Sequence, residues 1–243
     1  MKKIYFCMMI AAVVLTTACS KNDDEPIIEP GPNQMTMTTQ QSNVAILMRG
    51  YGTMTIDWGD KTEIETYSLI ASVAQTYTHT YSGSTIHTII ITGDNITFLE
   101  CPDNGLTKLN ISKNLALTEL RCERNPLKNL DVRSNSALIG LDCFDNELSI
   151  LDVSKNTEII ALNCNNNQLT KLDLSNNSKM VGMSCNNNKL TSEALNVMFG
   201  TLHNNIHPQW PVKIIHIGGN PGTDHCEISI AENKGWLVNM NVW

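Results

Sequence analysis

Apolar residues return every 21 positions across the middle of this 243-residue chain. Four consecutive units align without a gap: LTKLNISKNLALTELRCERNP from Leu106, LKNLDVRSNSALIGLDCFDNE from Leu127, LSILDVSKNTEIIALNCNNNQ from Leu148 and LTKLDLSNNSKMVGMSCNNNK from Leu169. A half unit, ITFLECPDNG, precedes them from Ile96, and a fifth unit begins at Leu190 but loses the pattern. Such self-similarity is typical of a repeat architecture in which each unit stacks on the next.

Each unit contains two strand-like segments, L-x-x-L-x-V-x-x-N and then L-x-x-L-x-C-x-x-N-x-L, with Ile or Met in some of the Leu places. Residues two apart, such as Leu120 and Cys122, point to the same face of a strand. The Asn after each pair can hydrogen-bond the backbone where the chain turns. Each coil is therefore predicted to turn twice, at Asn104, Asn125, Asn146, Asn167 and Asn188 and again at Asn114, Asn135, Asn156 and Asn177.

This pattern resembles that of leucine-rich repeat proteins, and more narrowly the nested bacterial class LxxLxCxxNxLxxLDLxxN, called IRREKO. The resemblance covers residues 96–190, where a dozen positions recur in four consecutive units. It implies a short right-handed solenoid, with a parallel sheet on one flank and short extended segments on the other.

Residues 35–95 follow a different pattern, in which short alternating strands are separated by Gly, Asp and Ser turns. The segments WGD at Trp58 and HTY at His79 resemble those of PKD-type immunoglobulin-like domains, although Lys61 stands where that family commonly has Gly. The resemblance implies a small antiparallel β-sandwich with Trp58 in its core. We expect this domain to cover the first coil of the solenoid, which would otherwise expose an apolar end.

Residues 191–243 are predicted to form a mixed α/β cap. TSEALNVMFGTLH has a Thr/Ser start and apolar residues at helical spacing. VKIIHIGGNPG indicates a strand and turn, CEISIAENKG a helix that ends at Gly235, and WLVNMNVW a last strand. The predicted fold class is therefore β-rich α+β: a small N-terminal β-sandwich, a short leucine-rich-repeat solenoid with a parallel sheet, and this cap.

The N-terminus is typical of an exported bacterial protein. Lys2 and Lys3 precede an apolar run that is too short to span a bilayer, and LTTACSKNDDE follows it. The small residues before Cys19 resemble a lipobox, although Thr16 stands where Leu is usual. The resemblance implies a signal peptide over residues 1–18 and lipid attachment at Cys19. The segment PIIEPGPNQ is rich in Pro and polar residues and indicates an extended tether over residues 19–34. An ordinary cleaved signal of a soluble secreted protein is the alternative.

The acids in SKNDDE are similar to the export signal of Bacteroidetes surface lipoproteins. The resemblance implies a protein that is anchored to the outer membrane and exposed at the cell surface.

Composition excludes some functions and leaves others without support. The formal net charge of -7 and the absence of a basic cluster after the signal argue against nucleic acid. The chain has no GxSxG, HExxH, P-loop or GxGxxG motif, so we expect a non-catalytic protein without a cofactor.

Two sets of residues raise the question of a metal site. The first is His203, His207, His216, His225 and Cys226, whose spacings fit no zinc pattern. The second is Asn110, Asp131, Asp152 and Asp173, which recurs at one register and so indicates a structural role beside a turn. We therefore predict no metal site.

Five cysteines recur once per unit: Cys101, Cys122, Cys143, Cys164 and Cys185. On stacked strands about 4.8 Å apart they would form a line inside the solenoid. A line does not bring four ligands to one zinc ion, and neighbouring side chains on parallel strands point the same way, which disfavours disulfides. We expect small buried side chains, protected by burial from an oxidising compartment.

The ligand face is predicted from positions that vary between coils beside the cysteines. The candidate ligand-binding residues are Arg121, Glu123, Asp142, Phe144, Asn163 and Asn165, and Phe144 is the only aromatic in the four units. A face of on the order of 400 Å² is about half an ordinary protein footprint. We therefore expect a monomer that binds a glycan, a peptide, or a protein that also contacts the N-terminal domain. A structural or accessory subunit of an outer-membrane complex is the alternative.

Overall fold

The computed structural model describes residues 30–83 and 85–241. The predicted signal peptide, Cys19 and the tether up to residue 29 lie outside these ranges. Two α-helices, one 3₁₀ turn and twelve strands are assigned in the described part of the chain, and all twelve strands are linked by hydrogen bonds. Within the same ranges no helix is both long and apolar enough to cross a membrane.

The N-terminal module consists of five antiparallel strands. They are β1 Gln34–Thr39, β2 Asn43–Asp57, β3 Glu65–Leu69, β4 Gln75–Thr80 and β5 His87–Glu100. β2 pairs with β4 through its first half, with β3 through its second half and with β5 along most of its length. The division of these strands into a two-sheet sandwich stays a prediction.

Two irregularities interrupt the pairing of the long strands β2 and β5. The pairing register shifts after Arg49 and again after Tyr51. Gly50 lies at the first shift, where a Cβ atom would come within 2.1 Å of the main-chain oxygen of Asn95, so only glycine fits. Trp58 is buried as predicted, and its indole nitrogen donates to Glu65 at 2.9 Å.

The solenoid begins without a break from the N-terminal module, because β5 runs across the predicted boundary at residues 95 and 96. Its parallel strands are β7 Glu119–Arg121, β8 Gly140–Asp142, β9 Ala161–Asn163 and β10 Gly182–Ser184, and β5 pairs with β7 in the same register. The predicted β-rich solenoid with a parallel sheet is confirmed.

The other flank of the first coil is covered by the N-terminal module. Strand β6, Lys108–Asn110, pairs antiparallel with β1, and the backbone nitrogen of Thr107 donates to Thr38 at 2.9 Å. This contact confirms the expectation that the N-terminal residues close the apolar end of the repeats.

The interior of the solenoid is filled by rows of one residue per coil. The row that includes Leu120 on the parallel strands is buried, as is the row of five cysteines two residues later. Further buried rows contain Leu127, Leu130 and Val132 with their equivalents in the neighbouring coils. The repeat period therefore converts directly into a continuous packed core.

The C-terminal cap extends the same sheet. Helix α1, Ser192–Thr201, begins after Thr191, whose hydroxyl accepts from the backbone nitrogen of Ala194 at 3.2 Å. Strand β11, Lys213–His216, pairs with β10, and β12, Trp236–Asn239, pairs with β11, both parallel. The predicted helix over CEISIAENKG is shorter in the structure: Thr223–His225 form a 3₁₀ turn, Cys226 is extended, and α2 spans Ser229–Glu232.

Candidate ligand-binding groove

Two ladders of asparagines, one at each of the two turns of a coil, tie successive coils together. In the first ladder, the amide nitrogen of Asn146 donates to the main-chain oxygens of Cys122 and Cys143, both at 3.1 Å. Its amide oxygen accepts from the backbone nitrogen of Leu127 at 3.1 Å. In the second ladder, Asn156 donates to Val132 and Asn135 at 2.8 Å each. The predicted structural role of the asparagines is confirmed.

A left-handed residue precedes each asparagine of the first ladder. The backbone angle φ is between 52° and 54° at Asp103, Arg124, Asp145, Asn166 and Asn187. Asn and Asp adopt this conformation more readily than other residues with a side chain. The sharp turn that it produces ends each strand at the same place and keeps the outer face of the sheet in register.

The five repeat cysteines are buried and unpaired. The Cys164 thiol donates to the main-chain oxygen of Ser184 in the next coil at 3.4 Å. Burial raises the pKa of Cys164 to about 12, so this thiol is protonated at neutral pH. The predicted packing role of the row is confirmed, and the row is called the thiol ladder below.

A groove of about 510 Å³ lies on the outer face of the parallel sheet. Its floor contains Gly140, Ala161 and Gly182, which occupy the first position of three successive strands. Because these residues have no side chain or only a methyl group, the backbone of the sheet is open at this place. Gly182 would accept a larger side chain, since its Cβ position has no neighbour within 4 Å.

One side of the groove is polar. The lining on this side is an in-register row, one residue from each of five successive strands: Arg121, Asp142, Asn163, Ser184 and His216. Burial raises the pKa of Asp142, against the hydrogen bond that the Phe144 backbone nitrogen donates to its carboxylate. Nδ1 of His216 is buried and has no hydrogen-bond partner among the described residues. The amide oxygen of Asn163 accepts from the backbone nitrogen of Asn165 at 3.3 Å. The half-buried side chains of Asp142, Asn163 and Ser184 form the polar surface of this side.

The opposite side is apolar and includes Ile139, Ile160 and Trp210. Ile139 is 44% exposed and Trp210 is 46% exposed, which are large fractions for such side chains. A second cavity, of about 480 Å³, shares Ile139 and Ile160 and is also lined by His203, Ile206 and His207. The loop of residues 203–212 therefore contributes to both cavities.

The loop of residues 203–212 is held against the solenoid by hydrogen bonds at its first residue, His203, and at Lys213, which directly follows it. Nε2 of His203 lies 2.7 Å from the main-chain oxygen of Met180. The main-chain oxygen of His203 accepts from Lys213 Nζ at 3.2 Å and from Trp236 Nε1 at 2.9 Å. Lys213 is buried, which lowers its pKa, and it also donates to Lys234 at 2.7 Å. These bonds fix both ends of the exposed loop that contains Trp210.

The first coil ends the groove with a charged cluster. Arg121 donates to Glu100 at 3.2 Å, and Arg49 of the N-terminal module donates to Glu119 at 3.2 Å. Both guanidinium groups stack over the Phe98 ring, at 5.0 Å for Arg49 and 5.5 Å for Arg121. The two arginines are thus already paired with carboxylates within the protein.

The six predicted ligand-binding residues divide into two sets. Arg121, Asp142 and Asn163 line the groove, whereas Glu123, Phe144 and Asn165 do not. Glu123 was expected to face outward but is 9% exposed, and burial raises its pKa. The division arises because the chain turns sharply after each cysteine and directs the following residue away from the groove.

Phe144 and Asn165 are both half-buried, and neighbouring residues already contact their side chains. The Arg124 guanidinium lies over the Phe144 ring at 5.3 Å, so this ring is not the open apolar spot that its uniqueness in the repeats predicts. The amide oxygen of Asn165 accepts from the backbone nitrogen of Asn186 at 2.7 Å.

Sequence reasoning missed the apolar side of the groove. Trp210 lies outside the repeats, in HPQWP, where no periodic pattern assigns it a face. A tryptophan between polar residues and prolines is itself a signal of exposure, because a buried segment is rarely so rich in turn formers. Ile139 and Ile160 sit at one position of consecutive units, and their exposure could have been inferred from their place outside the inward registers.

The two sets of residues that raised the question of a metal site do not form one. Asp131 and Asp152 each accept from the backbone nitrogen two residues later, at 3.0 and 2.9 Å, which confirms their role beside a turn. Among residues 30–83 and 85–241, no group of three or more His, Cys, Asp and Glu side chains is placed to hold a metal ion. His216 is the histidine of the candidate set that lines the groove.

Comparison with known proteins gives matches among solved structures. No protein-family model and no curated protein matches the chain. Among solved structures it is similar to the functional domain of InlJ from Listeria monocytogenes, described as including a cysteine ladder, with 28% identity and a TM-score of 0.45. It is also similar to an internalin, inlF, from the same species, with 22% identity and a TM-score of 0.45. These matches cover 56% and 55% of this chain but span only 28% and 37% of the two internalin chains.

Proposed function

We propose that this protein is a non-catalytic binding protein whose ligand occupies the groove on the outer face of the parallel sheet. The observation that carries the proposal is the combination of an open floor at Gly140, Ala161 and Gly182 with an exposed Trp210 beside it. An exposed aromatic next to a row of polar side chains is typical of a recognition surface. The groove replaces the face centred on Phe144 as the proposed binding site.

The groove can be tested by filling it. Gly182→Leu places a side chain in the open floor, where the Cβ position has no neighbour within 4 Å. Gly200→Leu is the matched control, because Gly200 is exposed on α1, has equally free space and does not line the groove. The full chain and both variants would be applied to arrays of extracellular proteins, peptides and saccharides.

We expect at least one ligand to bind the wild type and Gly200→Leu but not Gly182→Leu. Far-ultraviolet circular dichroism and thermal unfolding would establish that both variants are folded. Ligands that bind all three proteins equally would show that binding occurs away from the groove and would refute the proposed site.

We further propose that the chain is a lipoprotein attached through Cys19 to the outer membrane and exposed at the cell surface. The support is the sequence LTTACSKNDDE and its similarity to surface lipoproteins of Bacteroidetes. The PKD-like identity of the N-terminal module and the IRREKO class of the repeats belong to the same proposal and rest on the same kind of resemblance. Metabolic labelling with a fatty acid, lost in Cys19→Ala, tests the anchor. Protection from protease on intact cells would contradict surface exposure.

A further inference from the structure

We infer that the groove binds a neutral, linear oligosaccharide, with Trp210 as the stacking platform and the polar row as the hydrogen-bonding side. This inference rests on the proposed function of the groove and adds the chemical class of the ligand. Three properties of the groove lead to it: the spacing of its floor, its balance of charge and the pairing of one aromatic with planar polar groups.

The spacing of the floor fits a chain of sugar rings better than a peptide. Gly140, Ala161 and Gly182 follow each other from strand to strand, about 4.8 Å apart. A six-membered sugar ring in a linear chain advances by roughly one such strand spacing. An extended peptide repeats its same-face side chains at about 6.7 Å, which would fall out of step with the coils. Each coil can therefore present the same kind of contact to successive rings.

The charge of the groove disfavours an anionic ligand. Its lining contains two carboxylates, Glu119 and Asp142, and one guanidinium, Arg121. Arg121 is already paired with Glu100 at 3.2 Å. Glu119 is likewise paired with Arg49 at 3.2 Å. An acidic sugar or an acidic peptide would therefore meet no unpaired cation among the lining residues and would lie beside the carboxylate of Asp142, which repels it. A neutral ligand with many hydroxyl groups avoids this repulsion.

The two sides of the groove match the two kinds of surface on a sugar ring. The faces of the ring carry C–H bonds that pack on an aromatic, and Trp210 is such an aromatic. It is 46% exposed, and the centre of the His207 ring lies 4.7 Å from that of Trp210. The edges of the ring carry hydroxyl groups, which planar side chains bind in pairs. Asp142 and Asn163 supply such groups. One oxygen of each accepts from a backbone nitrogen, of Phe144 and Asn165 respectively, which holds both side chains in place. The five strands span roughly 20 Å, enough for about four rings.

The experiment is a binding titration of the full chain, purified in a detergent that has no sugar headgroup. The probes are linear tetrasaccharides: β-1,4-, α-1,4- and β-1,3-linked glucose, β-1,4-linked N-acetylglucosamine, and anionic tetragalacturonate. An extended-peptide library is the second arm. The proteins are the wild type, Trp210→Ala, Gly182→Leu and Tyr51→Ala. Tyr51 is 60% exposed in the N-terminal module and controls for the loss of any exposed aromatic.

We expect at least one neutral tetrasaccharide to bind both the wild type and Tyr51→Ala. For that saccharide, the affinity of Trp210→Ala and of Gly182→Leu should each fall by at least about tenfold. Binding of peptides alone, lost in Gly182→Leu, would overturn the saccharide assignment while supporting the groove as the binding site. Binding of tetragalacturonate alone would overturn the assignment of a neutral ligand. Saccharide binding that is unchanged in both groove variants would place the sugar elsewhere and overturn the inference.

Discussion

The side-chain amide of Asn135 donates a hydrogen bond of 2.9 Å to the main-chain oxygen of Asn114, one 21-residue coil earlier. The same amide nitrogen donates to Ile111 at 3.0 Å. Asn114 is the first member of this ladder, and no earlier coil within the described residues supplies carbonyl groups to it. Both polar atoms of its amide are buried without a hydrogen-bond partner there. One residue type at one register thus has two different energetic roles.

Asn135→Ala should therefore destabilise the protein more than Asn114→Ala. The first substitution removes two hydrogen bonds and leaves buried carbonyl oxygens unpaired, which should lower the free energy of unfolding by about 2 kcal/mol. The second removes an amide that makes no hydrogen bond, while the oxygen that accepts from Asn135 remains on the main chain. Urea unfolding followed by circular dichroism measures both. Equal losses would show that the ladder bonds do not stabilise the coils.

The left-handed turn before each ladder asparagine predicts a second difference. Asn187 has φ of 53°, and its amide donates to Asn166 at 2.7 Å. Asn187→Val should be less stable than Asn187→Gly by about 1 kcal/mol, because a Cβ branch opposes this backbone conformation and glycine does not. Both variants lose the same side-chain hydrogen bond, so the comparison isolates the backbone. Asn176→Val, at an exposed position without positive φ, is the control and should change stability little.

The thiol ladder should be inert in the folded protein. Cys164 is completely buried and its raised pKa leaves almost no thiolate at pH 8, whereas Cys226 is half-buried. Alkylation at pH 8, read by mass spectrometry of peptides, should label Cys226 at least about tenfold faster than Cys164. In concentrated urea the two rates should converge. Rapid labelling of Cys164 without urea would mean that the coils open readily.

The same thiols predict a loss of stability at alkaline pH. Burial raises the pKa of Cys164 from 9.0 to about 12, so above pH 9 the unfolded chain releases a proton that the folded chain keeps. The unfolded state then binds fewer protons, and the free energy of unfolding falls as pH rises, by up to about 1.4 kcal/mol per pH unit for each such thiol. The full contribution is present below pH 9.

Cys164→Ala removes one of these groups. Measured by urea unfolding under reducing conditions between pH 8 and 10.5, its stability should decline less steeply than that of the wild type. The raised pKa values of Tyr67, Tyr77 and Tyr81 affect both proteins equally and cancel in the comparison. Identical slopes would contradict the assigned burial of the thiol.

The repeats were predictable because the pattern of apolar residues and asparagines that defines each coil lies within 21 consecutive residues and recurs in the next unit. Apolar residues two apart, such as Leu120 and Cys122, lie on the same face of a strand and so identify the inward face. The same pair of positions recurs in the next unit. One coil of the sheet escaped this reasoning. Ile215, Ile217 and Asn220 repeat the pattern of Met183, Cys185 and Asn188, and Asn220 donates to Cys185 at 2.9 Å. Helix α1 and the loop of residues 203–212 lengthen this coil to 32 residues, which breaks the period in the sequence.

Sequence alone therefore established the inward rows, the two turns of each coil and the buried place of Cys164, because these follow from alternation and period within single units. It placed Arg121, Asp142 and Asn163 on an outward face for the same reason. The groove depended on contacts between distant parts of the chain. Lys213 and Trp236 hold the loop that carries Trp210, and Arg124 covers Phe144, so the aromatic that is available to a ligand is a different one. Such contacts depend on how the folded coils and the cap meet, which no periodic pattern in the sequence records.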